Sequence, residues 1–202
     1  MADDSKGSHV IEQEASETSL QSPTSEEGEH SPSLLDEHRV EYQKILLFLE
    51  EIGLPYRKES LEQPTDLPGI ALINGEVVID EEKLKYPGDI LHEAGRLAIL
   101  LPKQRSTYKD SIGANPADEI ATIAWSWAAL VYVGIDPDVV FHSYGYRGGS
   151  YNIISGYLRG DCTGAGMLQY YGMCLEPWHA TDEQPGFPQM IQWLRVEMEE
   201  DG

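Results

Sequence analysis

Apolar residues recur at regular spacing only from about residue 34 onward. Ser33 with Asp36 makes a capping box, and Val40, Ile45, Leu46, Leu49 and Ile52 then follow at helical spacing. Gly53 and Pro55 stop that helix. Ile70 to Ile73 and Glu76 to Ile79 flank Asn74-Gly75, the pair that supplies both positive-φ residues of a tight type I′ turn, so a β-hairpin is predicted. Pro87-Gly88-Asp89 opens a helix over Gly88 to Leu101 that is apolar almost all round and therefore belongs in a core; Pro102 ends it. Asn115-Pro116 is an N-cap with Pro at the first helical position, opening a second apolar helix, Ala117 to Val133, before Gly134. A short helix capped by Asp136-Pro137 reaches His142. A Gly-rich loop (Tyr144 to Ser150), two small helical stretches (Ile153 to Leu158 and Gly166 to Tyr171) and an apolar turn or two around Met190 to Val196 complete the order. The pattern is that of an α+β domain, mainly helical, with a small antiparallel sheet packed on a buried helix.

Composition adds limits. Residues 1–33 set eight acidic side chains against Lys6 and carry few large apolar groups, so they read as a disordered acidic tail. Residues 34–198 make a single domain, and 199–202 an acidic end. The formal net charge of −21 repels nucleic-acid phosphates and anionic membrane surfaces, so neither is an expected partner. No apolar run approaches the ~20 residues needed to span a bilayer, and the N-terminus lacks the apolar core of a secretory signal. Cys162 and Cys174 are too few for a disulfide framework and match no zinc spacing; they are expected to be reduced thiols in a cytoplasmic protein.

The chemistry lies on the two apolar helices. His92 and Glu93 sit in the first, and Glu119 lies one turn into the second. Buried carboxylates are costly unless paired or metal-bound, so these groups are expected to meet in one site. In zinc peptidases H-E-x-x-H puts two His at i and i+4 on one helical face, with the Glu activating a metal-bound water and a third ligand arriving from elsewhere. Here the stretch reads His92-Glu93-Ala94-Gly95-Arg96, and Arg96 stays protonated and cannot coordinate a cation. Trp125, Trp127, Tyr170 and Tyr171 read as core or cleft wall. Gly148-Gly149 lacks the strand-to-helix context of a phosphate cradle, and Gly172-Met173 lacks the third histidine that accompanies a Met-turn.

Leu67-Pro-Gly-Ile70, the hairpin, Tyr86-Pro-Gly-Asp-Ile-Leu-His-Glu-Ala-Gly95, Pro116-Ala-Asp-Glu119, Ala124-Trp-Ser126, Val140-Phe-His142 and Gly145-Tyr-Arg-Gly148 together resemble an uncharacterised bacterial family that usually reads H-E-A-G-H at this helix. The resemblance spans about Leu34 to Met173. That family in turn looks like the zincins with a glutamate third ligand, closest in style to small intracellular metallopeptidases that cut phage repressors and stress regulators. It implies a zincin-like fold, a peptide or protein substrate, zinc as cofactor, His92 and Glu119 as ligands, and Glu93 as general base.

Arg96 departs from that pattern. Lying one turn from His92 and Glu93, within ~5–6 Å between Cβ atoms, its guanidinium is placed to stand in for the metal and neutralise Glu93 or Glu119. Alternatively a metal binds through His92, Glu119 and His142, with Arg96 outside it. His142 is then a replacement ligand or an orienting group; as a helix C-terminal cap it has neither role. Three functions follow: a weak metallopeptidase, a catalytically inactive peptide-binding module built on the same cleft, or a domain whose polar pair is structural only.

Overall fold

Asn74-Gly75 reverses the chain with φ of 53° and 83°, both in the left-handed region that a type I′ turn requires. It joins β2 (Ile70–Ile73) to β3 (Glu76–Ile79) in antiparallel register, with Ile70 opposite Ile79 and Ile73 opposite Glu76. The computed structural model describes residues 34–108 and 115–197; the expectations for 1–33, including Ser33, and for 199–202 fall outside them. A further strand, β1 (Tyr56–Lys58), lies parallel to β3, giving the order β1-β3-β2. The sheet is therefore mixed rather than antiparallel. Tyr56-Arg57-Lys58 carries no apolar alternation, so side-chain pattern could not reveal it; backbone bonds from Val77 N to Pro55 O and from Glu59 N to Ile79 O hold it in place.

Both sheet faces are covered. Ile70, Leu72, Val77 and Ile79 join the main core, while Ala71 and Val78 pack with Leu61 in a smaller cluster. Helices α1 (Leu34–Glu37) and α2 (Arg39–Ile52) are separated at His38, where the backbone leaves helical geometry, and α2 buries Ile45 and Leu49 against the core. Gly53 ends α2 at φ 71°, as the sequence indicates.

The central pair is α3 (Asp89–Ala98) and α5 (Pro116–Val133). Small residues set their spacing: a Cβ on Gly95 would lie 3.0 Å from the Trp125 ring and 3.2 Å from the Thr122 methyl. Leu91, Leu97, Ala121 and Trp125 are fully buried around this contact. α3 is shorter than the sequence suggests, because the chain leaves it at Ile99 ahead of α4 (Pro102–Arg105). Arg105 supplies the donors its C-terminus lacks, giving Nε to Leu97 O at 2.9 Å and Nη2 to Leu100 O at 2.9 Å. The Asn115 side chain caps α5 by accepting from Ala117 N at 3.1 Å.

Three short helices follow: α6 (Pro137–Val140), α7 (Ser150–Leu158) and α8 (Ala165–Tyr170). α6 ends at Val140, so His142 lies beyond the helix instead of closing it. Residues 190–196 form no helix; Arg195 N reaches Ala98 O at 2.9 Å and Trp193 O accepts from the Trp125 indole at 2.9 Å. Trp125, Trp127 and Tyr171 are buried, whereas Tyr170 is exposed. The architecture is α+β and mainly helical. No helix among the described residues is long and apolar enough to cross a membrane.

Candidate functional site

Of the ten residues of α3, the eight at Asp89, Ile90, Leu91, Glu93, Ala94, Gly95, Leu97 and Ala98 are buried. The remaining two, His92 and Arg96, stand four apart and so share one face. That face meets α5 at Glu119: His92 Nε2 lies 3.6 Å from Glu119 Oε1. Two donors on one tetrahedral zinc, each bonded at ~2.0–2.1 Å, would stand roughly 3.3 Å apart, so these two atoms are spaced about as two such ligands would be.

His92 is neutral here. Burial first, and the Arg96 charge second, hold its imidazole down at about 4. Its other ring nitrogen, Nδ1, faces the Tyr146 hydroxyl at 3.4 Å, and the two rings meet edge-on at 5.5 Å. Burial keeps the Tyr146 phenol well above the usual tyrosine range, so it stays protonated and faces Nδ1 as a neutral hydroxyl, able to donate or accept according to the imidazole tautomer. Tyr146 reaches this position from a turn in which Tyr146, Arg147 and Gly148 all have positive φ, at 50°, 53° and 79°. Two consecutive non-glycine residues in that region are strained, and nothing in the sequence beyond the Gly-rich composition announces them.

Glu93, the next residue of α3, is paired with Arg96. Arg96 Nη1 reaches both its oxygens, at 3.1 and 3.3 Å, and Nη2 donates to the Tyr108 hydroxyl at 2.8 Å. Glu93 is nearly fully buried, so its charge is met by a guanidinium rather than by water. Glu119 departs from expectation. Its side chain is 40% exposed, so it is no buried carboxylate.

Beside the site, sequence reasoning missed a buried acid, Asp89. It lies at the first turn of α3, where the helix dipole favours an anion, and its Oδ1 is 2.9 Å from His142 Nε2. The His142 ring stacks on Tyr86 at 3.8 Å, and its Nδ1 is buried with no hydrogen-bond partner among the described residues. The structure thus brings His92, Glu93, Arg96 and Glu119 together and assigns His142 to a separate pair.

These residues do not fit a zinc site as they stand. His92 and Glu119 offer two donors, the helix position of the second histidine holds a guanidinium engaged with Glu93, and His142 is held by Asp89. Among the described residues no group of three or more His, Cys, Asp or Glu is arranged to hold a metal ion. No protein-family model, curated protein or solved structure matches the chain.

Proposed function

We infer that this is a zincin-like scaffold in which a guanidinium has taken the place of the metal, and that it binds a polypeptide segment instead of hydrolysing one. The observation that carries the reading is the Arg96–Glu93 pair. In the enzymes the sequence resembles, the residue at Glu93 accepts a proton; a buried carboxylate already satisfied by a guanidinium is a poor base for that purpose. The half-built donor pair of His92 and Glu119 supports the zincin part of the reading, as does the position of His92 and Arg96 on one helical face. Glu119, whose side chain is 40% exposed, remains as the part of this cluster that a peptide backbone can reach.

Metal analysis of the purified protein and of an Arg96→His variant tests this. The natural chain is expected to carry no stoichiometric zinc, and the variant to bind one zinc ion that a further Glu119→Gln change, by removing a direct ligand, weakens. Stoichiometric zinc in the natural protein would replace this reading with that of a metallopeptidase. An Arg96→His variant that folds but takes up no zinc would remove the zincin assignment.

A further inference from the structure

The N-terminal half of α5 also borders two cavities away from α3. One, of about 240 Å³, is walled by Ile120, Ile123, Ile153 and Tyr157, with Asp161 and Thr163 at its rim. The second, of about 580 Å³, shares Ile120, Asp161 and Thr163 with the first and extends to Met167, Glu176 and Trp178. The two therefore adjoin across a ridge formed by Asp161 and Thr163.

Their charge is one-sided. Asp161 and Glu176 line them, and neither lining contains a Lys or an Arg among the described residues. Both carboxylates lie over glycine. A Cβ on Gly156 would stand 2.8 Å from Asp161 Oδ2, and one on Gly166 would stand 3.0 Å from Glu176 Oε1. Any larger residue at either position would displace the carboxylate from the cavity wall. Trp178, at the far end, is 65% exposed and offers an indole face to a cation.

We propose that these adjoining cavities dock a polypeptide segment in which a Lys or Arg stands beside a bulky aliphatic or aromatic residue. The apolar side chain fills the hollow of Ile120, Ile123, Ile153 and Tyr157; the cation lies over the ridge between Asp161, Glu176 and Trp178. The two compartments suit neighbouring side chains of a peptide better than one small amine. The chain's own ends do not supply this segment, since residues 1–33 carry eight acidic groups and one Lys, and residues 198–202 carry no cation. A second copy is disfavoured by the charge of −21 on each chain. The occupant is a basic partner protein, drawn in by that same charge. This site does not depend on whether Glu93 is catalytically silent.

The test is selection of a random short-peptide phage library on the full-length chain, followed by affinity measurement of the enriched peptides. Enriched sequences are expected to pair Lys or Arg with Leu, Ile, Phe or Trp. Their affinity should fall roughly tenfold in Asp161→Asn/Glu176→Gln, fall similarly in Ile120→Lys, and weaken with added salt. Asp161 and Ile120 are exposed and the Glu176 side chain is 20% exposed, and circular dichroism verifies that both variants fold. Peptides without basic residues, undiminished binding to both variants, or no enrichment at all would overturn the proposal. Peptides weakened by Glu119→Gln but not by Asp161→Asn/Glu176→Gln would also overturn it, while leaving the proposed function in place.

Discussion

Arg96 and Glu93 are three residues apart on one helix, with side chains 18% and 5% exposed. A pair this well buried adds little net stability, yet removing one partner leaves the other costly to bury. Arg96→Met is therefore expected to lower unfolding free energy by about 3 kcal/mol, and adding Glu93→Leu to return most of that loss. Urea denaturation of the single and double variants measures it; equal destabilisation in both would mean the pair is not the source. His92 gives a second residue-scale prediction. Its imidazole titrates at about 4 when folded and at 6.5 ordinarily, so the unfolded chain takes up this proton first as pH falls. Stability from this group is complete above pH 6.5, declines as pH drops toward 4, and is level below that, a span of about 3 kcal/mol. Between pH 6.5 and 5, where few carboxylates titrate, the melting temperature of the natural protein should fall more steeply than that of His92→Gln. Parallel curves would show that His92 is not held neutral. The cluster was legible in the sequence because helical periodicity alone places positions 92, 93 and 96 on adjoining faces. The Asp89–His142 pair was not legible: its members are 53 residues apart, and no local pattern links a helix start to a loop so distant.

At the scale of elements, the start of α3 is fixed by contact with α6. Gly88 has an ordinary helical φ of −62°, so nothing in its backbone demands glycine. The demand is steric, since a Cβ there would run into Val139 O and lie 2.6 Å from Val140 Cα. Gly88→Ala is expected to push α6 from α3, part Asp89 from His142, and lose about 2–3 kcal/mol. Gly134→Ala, at φ 71° with nothing within 4 Å, should lose only about 1 kcal/mol through its left-handed backbone. Chemical denaturation of both ranks the two effects, and a Gly88→Ala loss no larger than that of Gly134→Ala would deny the α3–α6 contact. The same division between local and non-local causes explains which elements the sequence disclosed. The hairpin, α5 and the stops at Gly53 and Gly134 rest on turn and cap residues that act within a few positions. β1 and the early exit from α3 rest on partners outside their own turns, namely β3 for the strand, and Arg105 a few residues on together with the distant residue 195 for the helix end.

For the molecule as a whole, the segment after the last helix ties together parts that the sequence leaves unrelated. The Trp193 ring lies 4.9 Å from Phe48 of α2, 5.7 Å from Trp125 of α5 and 5.3 Å from Tyr132 of α5. Two residues on, Arg195 gives its backbone N–H to Ala98 O, accepts at its carbonyl from Arg105, and lays its guanidinium 4.0 Å over the Tyr171 ring. One stretch of irregular chain thus contacts α2, the end of α3, α4, α5 and the residue closing α8. Its apolar residues at 190, 193 and 194 stand at the i, i+3, i+4 spacing of a helical turn that the segment does not form, so the pattern gave an apolar turn without indicating what it touches. Trp193 is only half-buried, and most of its contacts are aromatic edges rather than a closed pocket. Trp193→Ala should therefore lose about 2–3 kcal/mol, below the range for a fully buried Trp, and Trp193→Phe about half of that. Because the ring bridges α2 and α5, the loss is expected to appear in amide exchange on both helices together, not only near residue 193. If exchange rises only beside the substitution, the segment rests on the surface and the helices hold one another without it.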